Sequence, residues 1–340
     1  MVRSSRAFRF QFSWCPSAPH AYIGFNTFEP ALRAVGYSVT ELPGTHVMSE
    51  ADHRKATEAE QEQTRKAVRD AIDAGEAVLF GSEEDGLLVG YESISGENPT
   101  GWLCRPGPLG GPPKPDEPYL LPISRMPWGL GRLHRTSIPM PRAETALWAI
   151  QTAIVNAERG TVEGKALKTG FAAWQKWIDE LGPEAFEGIV EQSRQHLREA
   201  KRANEDALFG ICLGNAWCYE NLHFARLEAA RYLRDVAGDL PEAARHHLEE
   251  AATAYDETSK ALVEGDCFIR IAPYPWSMKT PATDWTDAMR QRQAQLLANA
   301  LKHERAAVNA LKAARVAMGL PSVAVPIKGR RTERKESRKA

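Results

Sequence analysis

The amino-acid sequence breaks in character at Pro141. Upstream of it, residues 97–142 contain runs such as RPGPLGGPPKPDEPYLLP and MPWGLG. There proline removes backbone donors, glycine and proline favour turns, and no helical period is sustained. Downstream, RAETALWAIQTAIVNAER, GKALKTGFAAWQKWIDEL and the segments up to about Met318 are rich in Ala, Leu, Glu, Lys, Gln and Arg at helical spacing. A chain patterned this way folds in two parts, and at 340 residues it exceeds the size at which one core usually keeps growing. The expected organisation is an α+β domain over residues 1–142, an all-α helical domain over 143–325 and a disordered basic tail over 326–340. The proline-rich stretch reads as loop and edge strand, either a loop covering a cleft, the favoured reading, or a strap between the domains.

Within the first part, TFEPALRAVGY reads as a short helix ended by Gly36, and SVTEL after it as a strand. Residues 57–74 carry acidic groups early and Ala67, Val68, Ala71 and Ile72 late, so the core-facing stripe of that helix is expected in its second half, with Gly75 as its cap. EAVLFG and GLLVGYESI, rich in β-formers and bounded by glycines, read as adjacent strands of a small antiparallel sheet.

In the second part, Gly238 is expected to end one helix, and Asp239-Leu240-Pro241-Glu242 to open the next as a capping box with proline in its first turn. Three prolines interrupt the helices over 268–286, and a last helix is expected from about Asp287 to Met318. The segment from about Ala203 to Ala237 is apolar on more than one side through Leu208, Ile211, Cys212, Trp217, Leu222 and Ala229, so it is expected to be the central helix of this domain. The hairpin-like LEAARYLRDVAGDLPEAARHHLEEAATAY has no second copy near 34 residues away, which excludes a repeat solenoid.

Charge narrows the partners. The formal net charge is -1, but the segment 328–340 holds seven basic and two acidic residues, leaving 43 - 7 = 36 basic against 44 - 2 = 42 acidic elsewhere. A mildly acidic body lacks the clustered cations of a nucleic-acid face. No segment reaches about 18 uncharged apolar residues, so no membrane span and a cytoplasmic location are expected. Cys15, Cys104, Cys212, Cys218 and Cys267 form no CxxC pair, and no HExxH or comparable ligand spacing occurs, so neither a metal nor another cofactor is expected. Oligomeric state is not encoded in any of these features.

Two sets of residues bear on function. Asn215, Tyr219, His223 and Arg226 recur at i, i+4, i+8 and i+11 on one helical face within an apolar stretch. They read either as interhelical hydrogen bonds and salt bridges or as a site for a polar or anionic small molecule. Cys15 and His20, five residues apart, are the weak candidates for a nucleophile pair; no other catalytic residue is identifiable. His46, His53 and His134 read as surface residues, and Trp102, Trp128, Trp276 and Trp285 as anchors of loops.

Three segments carry a resemblance: GFNTFEPALRAVGY, AIDAGEAVLFGSEEDGLLVGYE and ALKTGFAAWQKWIDEL, together spanning roughly residues 24–182. They resemble the papain-like domain of bacteriocin-processing peptidases, in the variant at the front of butirosin-biosynthesis protein H and related bacterial proteins. NAWCYENLHFARLEAARYL is similar to a helix of that family's C-terminal region. The resemblance implies a papain-like fold with a thiolate at a helix N-terminus and a histidine base on a strand. Here Pro16 and Pro19 interrupt the helix that should follow Cys15, and Glu84, Asp85 or Gly86 stands where the histidine is expected. A carboxylate there raises a thiol's pKa instead of lowering it. The expectation is therefore a degenerate, non-proteolytic papain-like domain binding a small molecule or a protein partner, with Glu84, Asp85 and Tyr91 among the candidate ligand contacts. The alternatives are a cysteine-dependent acyltransferase or amide hydrolase of the butirosin type, and a helical interaction scaffold.

Overall fold

The computed structural model describes residues 32–42, 57–81, 85–93, 99–105, 119–122, 128–136, 138–161, 168–199, 206–280 and 284–322. The protein is mixed α+β and divides into a sheet unit, residues 32–140, and a helical unit from residue 141 onward.

The sheet unit begins with helical residues 32–34 and Gly36, whose φ of 83° ends the turn and directs the chain into β1 (Tyr37–Glu41). Helix α1 (Glu58–Asp73) starts at a reciprocal capping box, in which the Glu60 amide donates to Thr57 Oγ1 and the Thr57 amide donates to the Glu60 carboxylate. Its inward face is Thr64, Val68 and Ala71. It ends as expected at Gly75, φ 77°, where Gly75 N–H donates to Ile72 O and Glu76 N–H to Ala71 O, the double closure of a Schellman motif.

Strands β2 (Val78–Gly81), β3 (Asp85–Ser93), β4 (Pro99–Arg105), β5 (Tyr119–Pro122) and β6 (Trp128–Arg135) complete a six-stranded, wholly antiparallel sheet of order β1-β6-β2-β3-β4-β5. The proline-rich stretch thus supplies three strands, and β6 lies inside the sheet between β1 and β2 and not at its edge; residues 106–118 and 123–127, where a covering loop would have to run, lie outside the described residues. Trp102, read as a loop anchor, is wholly buried on β4. Glycines make the pairing possible at two places. A Cβ on Gly86 would lie 2.6 Å from the Phe80 ring opposite it, and one on Gly131 would lie 2.4 Å from Val39 Cγ2. The core combines Val68 and Ala71 of α1 with Val78, Phe80, Leu88, Trp102, Cys104 and Leu130.

The helical unit contains α2 (Arg142–Glu158), α3 (Gly170–Glu180), α4 (Pro183–Glu199), α5 (Ala207–Val236), α6 (Glu242–Leu262), the short α7 (Phe268–Ile271) and α8 (Asp287–Ala317). Buried positions follow a 3-4 spacing in three of them: 212, 215, 219, 222, 226, 229, 233 and 236 on α5; 244, 248, 251, 255, 258 and 262 on α6; 290, 293, 297, 300, 304, 307, 311 and 314 on α8. That is the spacing of coiled-coil seams. α5 is, as expected, buried on several sides. Asn215 meets Gln293 and Arg226 meets Glu304, so α5 and α8 run parallel; Tyr219 meets Leu262 and Arg234 meets Glu249, so α6 runs antiparallel to α5.

The capping box expected at Asp239–Glu242 does not form. Pro241 is the N-cap of α6 and offers no side-chain acceptor, Asp239 lies in a 3₁₀ turn (Ala237–Asp239), and its carboxylate accepts from Arg142 Nε at 2.8 Å. A cation from α2 outcompetes the local amide for that carboxylate. At the α2–α3 junction Gly170 is obligatory. Its φ is 56°, and a Cβ there would lie 2.2 Å from the carbonyl oxygens of Asn156 and Ala157.

Candidate functional site

Cys15, His20 and Glu84 lie outside the described residues, as do His46 and His53. Asp85 opens β3, paired with Gly81. At Gly86, the neighbouring position for the expected base, the Phe80 ring occupies the space a side chain would need. A histidine there is incompatible with this packing. Tyr91 is tethered: its hydroxyl donates to Asp73 Oδ1 at 2.7 Å, which raises its pKa, and its ring meets Trp102 edge-on.

All four residues of the α5 stripe have partners on neighbouring elements of the helical unit. Trp177 Nε1 donates to Asn215 Oδ1 at 3.0 Å, and Asn215 and Gln293 exchange amide hydrogen bonds at 3.2 and 2.8 Å. Tyr219 donates its hydroxyl to Leu262 O, and burial pushes its pKa up. His223 Nδ1 lies 3.0 Å from Ser259 Oγ and 3.1 Å from Ser259 O. Arg226 makes a bidentate pair with Glu304, Nε to Oε2 at 2.6 Å and Nη2 to Oε1 at 2.7 Å, with both side chains at most 5% exposed. Burial opposes the guanidinium's charge, but Glu304 outweighs it and holds the pKa above the ordinary range. The Tyr255 ring lies 5.6 Å from the Arg226 Cζ. This layer separates two apolar clusters, one around Trp177, Leu222 and Leu297 and the other around Ala229, Leu248 and Leu311.

The helical unit also has an open hollow of about 590 Å³ between α3 and α8, lined by Lys168, Phe171, Gln175, Lys176, Asp179 and Arg305 among others. Arg305 stacks its guanidinium 4.4 Å from the centre of the Phe171 ring. Lys176 pairs with Glu180, and Gln175 donates to Asp179 at 2.9 Å. Burial first and the Lys168 ammonium second push the Lys176 pKa down, while the Glu180 carboxylate acts the other way, so we read the group from its ion pair, as charged. Lys168 and Arg305 have no carboxylate partner among the described residues. The lining holds Lys168, Lys176 and Arg305 against the carboxylates of Asp179 and Glu180, an excess of one positive charge over an aromatic floor, a combination suited to a small anion with an apolar part. Nothing in the sequence flagged it: Lys168 and Arg305 are more than 130 positions apart.

On the sheet unit, Glu76, Arg132, His134 and Thr40 form a half-exposed network. The Schellman turn after α1 sets Glu76 at the start of β2, and Arg132 and His134 alternate onto one face of β6, across from Thr40 and Ser38 of β1. Arg132 Nε donates to Glu76 Oε2, His134 Nδ1 lies 3.0 Å from Glu76 Oε1, and His134 Nε2 lies 3.1 Å from Thr40 Oγ1. The hydrogen bonds from Arg132 and then His134 hold the Glu76 carboxyl below the usual carboxylate range. His134 is on the surface, as its polar context suggested, but strand pairing makes it the centre of this network.

The thiols are unequal. Burial pushes the Cys212 pKa up to about 12 and raises that of Cys104, while Cys267 is exposed. Trp285 is buried edge-on against Phe186, and Trp276 is 62% exposed. Among the described residues no group of three His, Cys, Asp or Glu is placed to hold a metal ion, and no helix is long and apolar enough to cross a membrane. No family model matches the chain, and no curated protein matches it.

Proposed function

We propose that this chain is a non-proteolytic binding protein, related to papain-like domains in scaffold and not in chemistry, whose helical unit takes a small anionic molecule. The observation that carries the reading is the α3–α8 hollow, where Lys168 and Arg305 have no carboxylate of their own and Phe171 supplies an apolar surface. The ligand class matches the expectation from the sequence, but the location does not, because the α5 stripe is occupied by interhelical partners. Loss of the peptidase chemistry is supported by the packing at Gly86, where Phe80 leaves no room for a strand-borne base.

Isothermal titration with phenyl phosphate, an anion with an apolar part, tests the reading. The wild-type protein is expected to bind, K168M/R305M to lose binding by at least tenfold, and the melting temperature of the double variant to stay within a few degrees, since both side chains reach toward solvent. Equal affinity in wild type and double variant would overturn the assignment. The binding site would then have to be sought elsewhere.

A further inference from the structure

We propose that Thr40 is a nucleophile toward small activated acyl esters, with His134 as its general base and Glu76 positioning the imidazole. The site is on the sheet unit and stands independently of the hollow on the helical unit. Three features of the geometry carry it. The hydroxyl, imidazole and carboxylate are in series, at 3.1 Å from Thr40 Oγ1 to His134 Nε2 and 3.0 Å from His134 Nδ1 to Glu76 Oε1. That is the order in which a hydroxyl nucleophile, a base and an orienting acid act in acyl transfer, and such a constellation is recognised by geometry and role, whatever the fold or chain order.

Second, each member is held by backbone structure and not by a loop. Glu76 follows a double-closed helix end, His134 and Thr40 lie on paired strands, and Arg132 fixes the second carboxylate oxygen. With Nδ1–H directed to Glu76, the neutral imidazole presents the Nε2 lone pair to Thr40. Third, the reacting end is open: Thr40 is exposed, and Arg132, its direct ladder partner, puts a cation on the same face.

The step balances without a cofactor. Thr40 Oγ attacks the ester carbonyl carbon as its proton passes to His134 Nε2. The tetrahedral adduct collapses with cleavage of the bond to the leaving oxygen, which departs with the electron pair as an aryloxide. His134 then releases its proton to solvent. The product is an acyl-Thr40 ester, which water cleaves: His134 takes the water's proton as the tetrahedral adduct forms and returns it to Thr40 Oγ as the bond to the acyl carbon breaks, releasing the acid.

The test is incubation of the full chain with p-nitrophenyl acetate, followed by release of p-nitrophenolate and by peptide mass spectrometry. One acetyl group on Thr40 is expected, with H134Q slowing its formation by about 100-fold, T40V abolishing it and T40S retaining it. For Glu76 the discriminating readout is ¹⁵N NMR of the imidazole. In E76Q the amide can donate to His134 Nδ1, so the proton moves to Nε2 and the initial rate of acylation slows, with Thr40 still the residue modified. Acetylation confined to lysines, or a Thr40 adduct that forms equally fast in folded H134Q, would overturn the proposal and leave the network as a tie between strands.

Discussion

The two units handle charge in opposite ways. In the helical unit, Arg226 and Glu304 are sealed in a core between apolar clusters, whereas in the sheet unit Glu76 and Arg132 meet at the surface, with side chains 25% and 32% exposed. Each pair joins an anion to a guanidinium, but the surroundings give it a different task. Buried, a charge cannot tolerate losing its partner, so the pair acts as a register lock: α5 and α8 align only if position 226 faces 304. The second polar layer, Asn215 with Gln293, repeats the lock at the same offset of 78 residues. Half-exposed, the pair is cushioned by water and salt, and it positions neighbours more than it stabilises the fold.

The largest expected effect breaks the buried pair. R226M leaves Glu304 buried without its ion-pair partner, and urea unfolding of the helical unit should show a loss of roughly 3–5 kcal/mol. R226M/E304L should recover most of that stability, because two apolar side chains fit a site already walled by leucines and alanines. A double variant as unstable as the single one would mean that the lock contributes stability in its own right.

The smaller effect belongs to the surface pair and appears as a pH dependence. Glu76 has a folded-state pKa below its ordinary value, so the stability it contributes is present above the ordinary glutamate range and is lost as pH falls through the lowered pKa. Amide exchange in β1 and β6 should therefore quicken with acid over that window in the wild type, while E76Q removes the dependence and shows the faster exchange already at neutral pH. Unchanged acid sensitivity in E76Q would place its origin in another carboxylate.

The same contrast explains what could be read in advance. The helices declare themselves through a 3-4 spacing that needs only local sequence, and Arg226 could be expected to find an acidic partner because it falls in an otherwise apolar run. Glu304 itself lies 78 residues away and could not be chosen from the many acids available. β6 was hidden because WGLGRLHR mixes glycines with alternating residues; its place inside the sheet depends on Val39 lying over Gly131, a contact made across strands. The capping pattern misled in the opposite direction. Asp239-x-x-Glu242 has the right residues, but Arg142 from a distant helix takes the aspartate, while Thr57-x-x-Glu60 forms the box unopposed. The hollow and the Thr40–His134–Glu76 series are assembled from residues remote in the chain, and no spacing announces either.

The polar face of α5 holds the helical unit together, and the proposed anion site of that unit is the hollow beside α3. Backbone NMR of the full chain titrated with phenyl phosphate tests this without any substitution. Shifts are expected to concentrate at residues 168–180 and around Arg305, with the amides of Asn215, Tyr219, His223 and Arg226 unmoved. Shifts centred on those four α5 residues, with 168–180 silent, would contradict it.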